Sequence, residues 1–246
     1  MRAVILSAGR GSRMGARTAD RPKALLELAG HSLLDRQLAA LRQAGVEDVA
    51  VVTGWRAEAF AGQPVRRFHN PAWASSTMVG SLACADDWLS SGPVVVSYGD
   101  IVFPPATARA LARHPGEVVV AYDPDWLAQW SARFENPLED AESFRLGPDG
   151  TVAEIGGTAS SAGEVEGQYL GLLKLEPAGW QMLLAALHAA VRLNRRQDTT
   201  GLLQDLVSRG RTVHGVPTAG PWFEFDRPGD IGAGDGVLTA LDRWLF

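Results

Sequence analysis

Three apolar residues, Val4-Ile5-Leu6, run straight into Ser7-Ala8-Gly9-Arg10-Gly11-Ser12-Arg13-Met14-Gly15. A short apolar run that ends in a small-residue turn reads as a buried first strand followed by a tight loop. Glycines let such a loop turn sharply and approach a phosphate, while successive backbone N–H groups point at it. Arg13 and Lys23 can add full positive charge, one as a planar fork and the other as a point charge. On the glycine pattern alone, a phosphate cradle and a plain tight turn with solvated arginines are equal readings. A dinucleotide fingerprint fits less well. Its third glycine comes one place late here, and the second strand closes on Thr53-Gly54 instead of a carboxylate. The Gly-Lys-Ser or Gly-Lys-Thr of a P-loop does not occur at this loop.

Beyond the loop, strands and helices alternate. Leu33, Leu34, Leu38 and Leu41 recur at helical spacing, and Gly45 stands where that helix should stop. Strands are expected at 49–53, 64–68, 93–97 and 117–122, with helices over 77–89 and 106–113 between them. This order predicts an α/β fold, a Rossmann-like and mostly parallel sheet with helices on both faces. The later residues differ. Apolar runs at 143–146 and 152–155 flank Gly147-Pro148-Asp149-Gly150, which predicts a hairpin and hence a small antiparallel elaboration. A strand at 169–175, helices over 177–193 and 200–208, two short strands and a final helix complete the chain. No linker, charge block or repeat divides residues 1–246, so a single domain is expected. Residues 1–122 form its nucleotide-binding half and 123–246 its acceptor-binding half.

Composition narrows the partners. The formal net charge is −5, which leaves no excess of cation to hold a nucleic acid or an anionic membrane, although a small anion can be held locally. No stretch approaches the roughly 20 apolar residues that span a bilayer. Cys84 is the one cysteine, so no internal disulfide can form and a cytoplasmic setting is expected. Its apolar-periodic surroundings favour helical packing over a role as nucleophile.

Two acids stand out by position. Asp100 follows an apolar strand in Tyr98-Gly99-Asp100-Ile101, where open α/β sheets bind ligands. Asp226 closes Trp222-Phe223-Glu224-Phe225-Asp226, and Asp230 beyond it reads as an N-cap or first-turn acid of the last helix. Each alone can be a turn or capping acid. Together, at two strand ends, they can meet and hold a hard cation.

The string from Leu6 to Met14, followed by Arg21-Pro22-Lys23-Ala24-Leu25-Leu26, resembles the opening motif of the sugar-phosphate and choline-phosphate nucleotidyltransferases. That resemblance implies the nucleotide-diphospho-sugar transferase type of fold and a nucleotide held by Leu6, Ser7, Ala8, Gly9, Arg10, Gly11, Ser12, Arg13, Lys23 and Gly99. It implies further that Asp100 and Asp226 bind Mg²⁺, with Lys23 and Arg13 completing the catalytic set. In the implied reaction, an anionic oxygen of a phosphorylated or phosphonylated acceptor attacks the α-phosphorus of a nucleoside triphosphate and pyrophosphate leaves. No protein nucleophile or base is required.

In the second half, the string from Asp123 to Glu142 resembles the cytidylyltransferases that activate phosphocholine, phosphonates or phosphoglutamine, as do the segments 166–174 and 199–203. CTP is thus the expected donor, and Asn70, Trp126, Arg133, Tyr169, Lys174 and Thr200 are the expected acceptor contacts. Several keep a second reading. Trp126 and Trp130, spaced i, i+4, suit an aromatic cage or core packing. Arg133 can meet the acceptor or Glu139, and Asn70 can form an Asx-turn before Pro71. A sugar- or cyclitol-1-phosphate nucleotidyltransferase using UTP, GTP or dTTP is the alternative within the class. A non-catalytic nucleotide sensor is the alternative outside it.

Overall fold

A computed structural model describes residues 1–246. Its first strands are β1 (Arg2–Ser7), β2 (Glu27–Leu28), β3 (His31–Ser32), β4 (Asp48–Thr53), β5 (Arg66–His69), β6 (Val94–Tyr98) and β7 (Ile101–Val102). The later ones are β8 (Val118–Asp123), β9 (Glu142–Leu146), β10 (Val152–Thr158), β11 (Gln168–Leu175), β12 (His214–Pro217) and β13 (Phe223–Glu224). Helices are α1 (Leu33–Gln43), α2 (Met78–Leu82), α3 (Asp86–Ser91) and α4 (Pro105–Arg113). The second half adds α5 (Trp126–Arg133), α6 (Pro177–Arg192), α7 (Thr199–Ser208) and α8 (Asp230–Leu245).

Seven strands form the main sheet in the order β12-β8-β11-β6-β1-β4-β5. Four of its six pairings are parallel, and only β11 runs against both its neighbours, β6 and β8. The mostly parallel sheet expected from the strand–helix alternation is therefore present. Period-2 alternation explains why its strands read as unbroken apolar runs. Ala3 and Ile5 pack into one core cluster and Val4 into another; Val49 and Val51 likewise part from Ala50 and Val52. Helices cover both faces, so neither set of side chains can be polar. Antiparallel β9 and β10 form the expected hairpin, with Gly150 at φ 76° in its turn.

Local signals set the helix ends. Ser32 accepts the Asp35 N–H while Asp35 accepts from Ser32, a reciprocal cap that starts α1, and Gly45 at φ 88° follows its end. The helix expected over 77–89 is instead broken into α2 and α3 by a 3₁₀ turn at Ala83–Ala85. At the break the Asp86 carboxylate accepts the Trp180 indole N–H at 2.6 Å. Cys84 lies half-buried against the adjoining core cluster, and burial pushes its thiol pKa up. No helix is long and apolar enough to cross a membrane.

The connections leave β1 to one side, towards β4 and β5, and then return to place β6 on its other side. This reversal opens a crevice at the carboxyl ends of β1 and β6, the place where open α/β sheets take their ligands.

Candidate active site

Two backbone loops meet in that crevice. Gly99, just after β6, packs so closely on the end of β1 that an added Cβ would stand 2.6 Å from the Leu6 carbonyl oxygen. Gly11 adopts φ 64°, and a Cβ there would lie 2.9 Å from Lys23 Cε, so the glycine lets the lysine stem pass beneath the loop. Thr18 Oγ1 donates to the Gly11 carbonyl at 2.9 Å and pins the turn. From below, the buried Gln37 of α1 donates to the carbonyls of Tyr98 and Ile101 and accepts from Ser97 Oγ. That grip shapes the turn carrying Asp100.

The resulting cleft is lined by Leu6, Ser7, Ala8, Gly9, Gly11, Arg13, Lys23, Gly99 and Asp100. Two residues of the expected nucleotide set fall outside it. Arg10 lies over the Trp55 ring, 5.1 Å from its centroid, and Ser12 starts an exposed 3₁₀ turn. Gly11, between them, is left-handed at φ 64°.

Asp100 and Asp226 are brought together by a ladder of two residues on each side. β13 pairs antiparallel with β7, setting Glu224 opposite Ile101, and Phe225 N–H donates to the Asp100 carbonyl at 2.9 Å. Lys23 Nζ then lies between the two carboxylates, 2.9 Å from Asp100 Oδ2 and 2.6 Å from Asp226 Oδ1. Arg13 reaches Asp226 Oδ2 at 2.8 Å from the solvent side. Burial disfavours the lysine charge, but the two carboxylates outweigh it and hold the Lys23 pKa above its ordinary value. Asp230, in the first turn of α8 as expected, accepts the backbone N–H of both Asp226 and Arg227 at 2.8 Å.

These carboxylates suit a hard divalent cation. Asp100 Oδ1 is buried without a hydrogen-bond partner, an open acceptor facing away from the lysine's grip. Oxygen donors of this kind, with phosphate oxygens completing the shell, are what Mg²⁺ takes. No cluster of three His, Cys, Asp or Glu side chains stands at ligand spacing, so any ion here would lean on those phosphates.

Glu224 is the residue the sequence reading passed over. It shares the wall of the cleft, and burial first, then the neighbouring Asp100, pushes its pKa up to about 7, against the pull of Arg133. The available signal was its spacing: in an extended segment, residues 224 and 226 point the same way.

A second pocket adjoins the first and shares Arg13, Met78, Tyr98 and Glu224 with it. Tyr169 and Thr200 line it, together with Trp130, Trp222, Asp140, Glu142 and Asp198. Thr200 Oγ1 donates to Glu142 Oε1 at 3.2 Å. Burial first, then Asp198, raises the Glu142 pKa to about 7. The Tyr169 hydroxyl and the Trp130 indole nitrogen are buried without partners.

Four expected acceptor contacts lie elsewhere. Trp126 is turned into the core, 3% exposed, and donates its indole N–H to the Val165 carbonyl at 3.0 Å. Only Trp130 of the i, i+4 pair reaches the pocket. Arg133 engages neither solvent nor Glu139; its guanidinium is held by Glu224 and Asp230. Asn70 forms the Asx-turn, accepting from Ala72 N–H and donating to Ser76 and Ser81 Oγ, which saturates its amide behind the cleft wall. Lys174 sits at the far end of the sheet, bonded to the His114 and Gly116 carbonyls and to Glu176. Because β11 is antiparallel to β6, its last residues lie beside Val94 and Val95, opposite the ligand-binding edge.

The sequence profile of the MobA-like NTP transferase domain matches residues 3–204. The chain is 30% identical to a CTP:phosphoglutamine cytidylyltransferase of Campylobacter jejuni, with 94% of this chain and 98% of that relative covered. It is also 30% identical to a CMP-5'-(3-aminopropyl)phosphonate synthase of Streptomyces rubellomurinus, over 94% of this chain but 37% of that longer protein. In backbone it is similar to the CTP:phosphocholine cytidylyltransferase of Streptococcus pneumoniae, with a TM-score of 0.67 at 19% identity over 100% of this chain and 99% of the other.

Proposed function

The chain belongs to the MobA-like NTP transferase family, and on that premise we propose that it transfers CMP from CTP to a small phosphorylated or phosphonylated acceptor bearing a positively charged group. The observation that carries this reading is the convergence of Lys23, Asp100 and Asp226 at the sheet's ligand edge, directly beside an acid-lined pocket. Relatives that act on phosphoglutamine and on an aminopropylphosphonate support the donor and the acceptor class.

The reaction is an in-line displacement at the α-phosphorus. An acceptor oxygen, already anionic, forms the new bond to phosphorus; the bond to the bridging oxygen breaks, and pyrophosphate carries off the charge. Mg²⁺, where bound, screens the phosphate charges and aligns them. Asp100 and Asp226 would hold it. Lys23 and Arg13, together with N–H groups of the loop at Ala8, Gly9 and Gly11, stabilise charge on the α-phosphate and on the departing pyrophosphate. Glycine at 99 lets its turn pack on the end of β1, and glycine at 11 lets the Lys23 stem pass under the loop towards the two acids. No side chain needs to accept a proton, which fits a cleft lined without histidine.

Around the acceptor, Asp140, Glu142, Asp198 and Glu224 face one cation, Arg13. Such a pocket favours a positively charged group, flanked by the rings of Tyr98, Tyr169, Trp130 and Trp222. Residues 1–122 and 123–246 act as one unit, since β11 of the second half lies between β6 and β8. The lone Cys84 suits a reducing cytoplasm, where CTP is at hand.

A pyrophosphate-release screen tests the reading. CTP, UTP, GTP and dTTP are each offered with phosphocholine, phosphoglutamine, 2-aminoethylphosphonate and sugar 1-phosphates, with and without Mg²⁺. Release is expected with CTP, Mg²⁺ and an acceptor that carries a positively charged ammonium group. Turnover of sugar phosphates with UTP alone would overturn the cytidylyl assignment. Nucleotide binding with no release from any pair would make the chain a sensor.

A further inference from the structure

Behind the two aspartates lies a buried guanidinium: the Arg133 side chain is 1% exposed. Its Nε donates to Asp230 Oδ1 at 3.0 Å, while Nη2 donates to Glu224 Oε2 at 2.9 Å and to Asp230 Oδ2 at 3.3 Å. The rings of Trp130, Phe134 and Phe223 surround it at 5.2, 5.0 and 5.6 Å. Asp230 in turn accepts two backbone N–H groups, those of Asp226 and Arg227. A continuous set of contacts therefore runs from α5 through Arg133 and Asp230 to the backbone of Asp226, and from its carboxylate to Lys23 and Arg13.

We propose that Arg133, acting through Asp230, is a positioning residue that fixes the Asp226 carboxylate in the orientation the nucleotidyl transfer requires. The inference rests on the function proposed above. A planar fork is what lets one side chain bond both Asp230 and Glu224 at once; a lysine ammonium could not span them in the same geometry. Buried ion pairs of this kind add little net stability over apolar packing, so positioning is the role their geometry is suited to. Both oxygens of Asp230 are committed, Oδ2 three times over, which leaves the backbone at Asp226 little freedom to rotate. Trp130, one turn before Arg133 on α5, walls the acceptor pocket, so the same helix carries both the acceptor wall and the clamp on the acid.

Asp230→Asn, Arg133→Lys and Arg133→Met test it, with four readouts: thermal midpoint, CTP affinity by calorimetry with and without Mn²⁺, kcat, and KM for CTP. In Asp230→Asn and Arg133→Met, ion-free CTP binding should match the parent. The tightening of CTP binding by Mn²⁺ should fall about 10-fold, in line with losses seen when groups orienting a metal ligand are removed. Turnover should fall about 100-fold, the scale of a misplacement near 1 Å, with KM little changed. Arg133→Lys should recover part of both. Folded variants that keep parental ion dependence and kcat, and lose only thermal stability, would make Arg133 a packing residue and overturn the proposal. A parent protein showing neither pyrophosphate release nor ion-dependent CTP binding would sink the proposed function first, and this inference with it.

Discussion

Lys23 Nζ lies 2.6 Å from Asp226 Oδ1, although the two stand 203 positions apart in sequence. The same ammonium is 2.9 Å from Asp100, so one lysine bridges both acids, and Arg13, 2.8 Å from the other oxygen of Asp226, offsets the second negative charge. Two cations thus balance two acids, and the lysine is the one that touches both.

Replacing Lys23 by Met leaves two carboxylates facing each other with only Arg13 to offset them. Breaking a buried pair from one side costs on the order of 3 kcal/mol. Thermal unfolding should show that loss near neutral pH, reduced by added Mg²⁺ and by acid. Turnover should drop by about 100-fold or more, as charge stabilisation of the transition state is removed. A variant as stable as the parent in chelator would show that the lysine does not balance these acids.

Gly99→Ala forces a methyl group to within 2.6 Å of the Leu6 carbonyl and 3.3 Å of Ser7 Cβ. Backbone cannot step aside as a flexible side-chain tip can. The expected cost is about 1–3 kcal/mol of stability, the range for overpacking, with weakened CTP binding because the cleft's floor has shifted. Equilibrium denaturation and calorimetry measure both. Unchanged CTP affinity would place the nucleotide away from this floor.

Glu142 supplies a pH dependence whose sign can be stated. Burial and Asp198 raise its pKa from an ordinary 4.5 to about 7 in the folded chain. The fold gains its full contribution from this group below 4.5 and loses it as pH climbs through 7, where the buried carboxylate must ionise. A positively charged acceptor prefers the ionised form. KM for such an acceptor should therefore fall as pH rises through 7, and Glu142→Gln should flatten that dependence while becoming relatively more stable than the parent at alkaline pH. A variant with the parental KM profile would remove Glu142 from the acceptor site.

Trp126 and Trp130 stand one helical turn apart yet should respond differently. Trp126→Phe loses the hydrogen bond to the Val165 carbonyl and some buried area, about 1–3 kcal/mol, with no change in acceptor KM. Trp130→Phe alters a pocket wall and should raise acceptor KM with a smaller loss of stability. Steady-state kinetics beside thermal melts separate the two, and a KM effect at Trp126 would contradict its placement in the core.

Much of the cleft's geometry was legible in the sequence because its determinants are local, although the glycines alone left a plain turn equally open and only the family resemblance assigned the loop to a nucleotide. The apolar run into Gly9-Arg10-Gly11, the strand ends at Asp100 and Asp226, and the alternation that predicts a covered parallel sheet each depend on neighbours a few positions away. Arg10 and Ser12 escaped that logic: Arg10 stacks on the distant Trp55 ring, and Ser12 starts an exposed turn.

The acceptor side depended on pairing between distant segments, which no local pattern records. Lys174 lies at the opposite end of the sheet from the pocket because β11 runs antiparallel to β6, and reversing a strand exchanges its ends. Arg133 became internal because β13 and α8 bring Glu224 and Asp230 to it from more than 90 residues away. Spacing along the chain specified which side chains could share a face; the direction and order of strands decided which of those faces met.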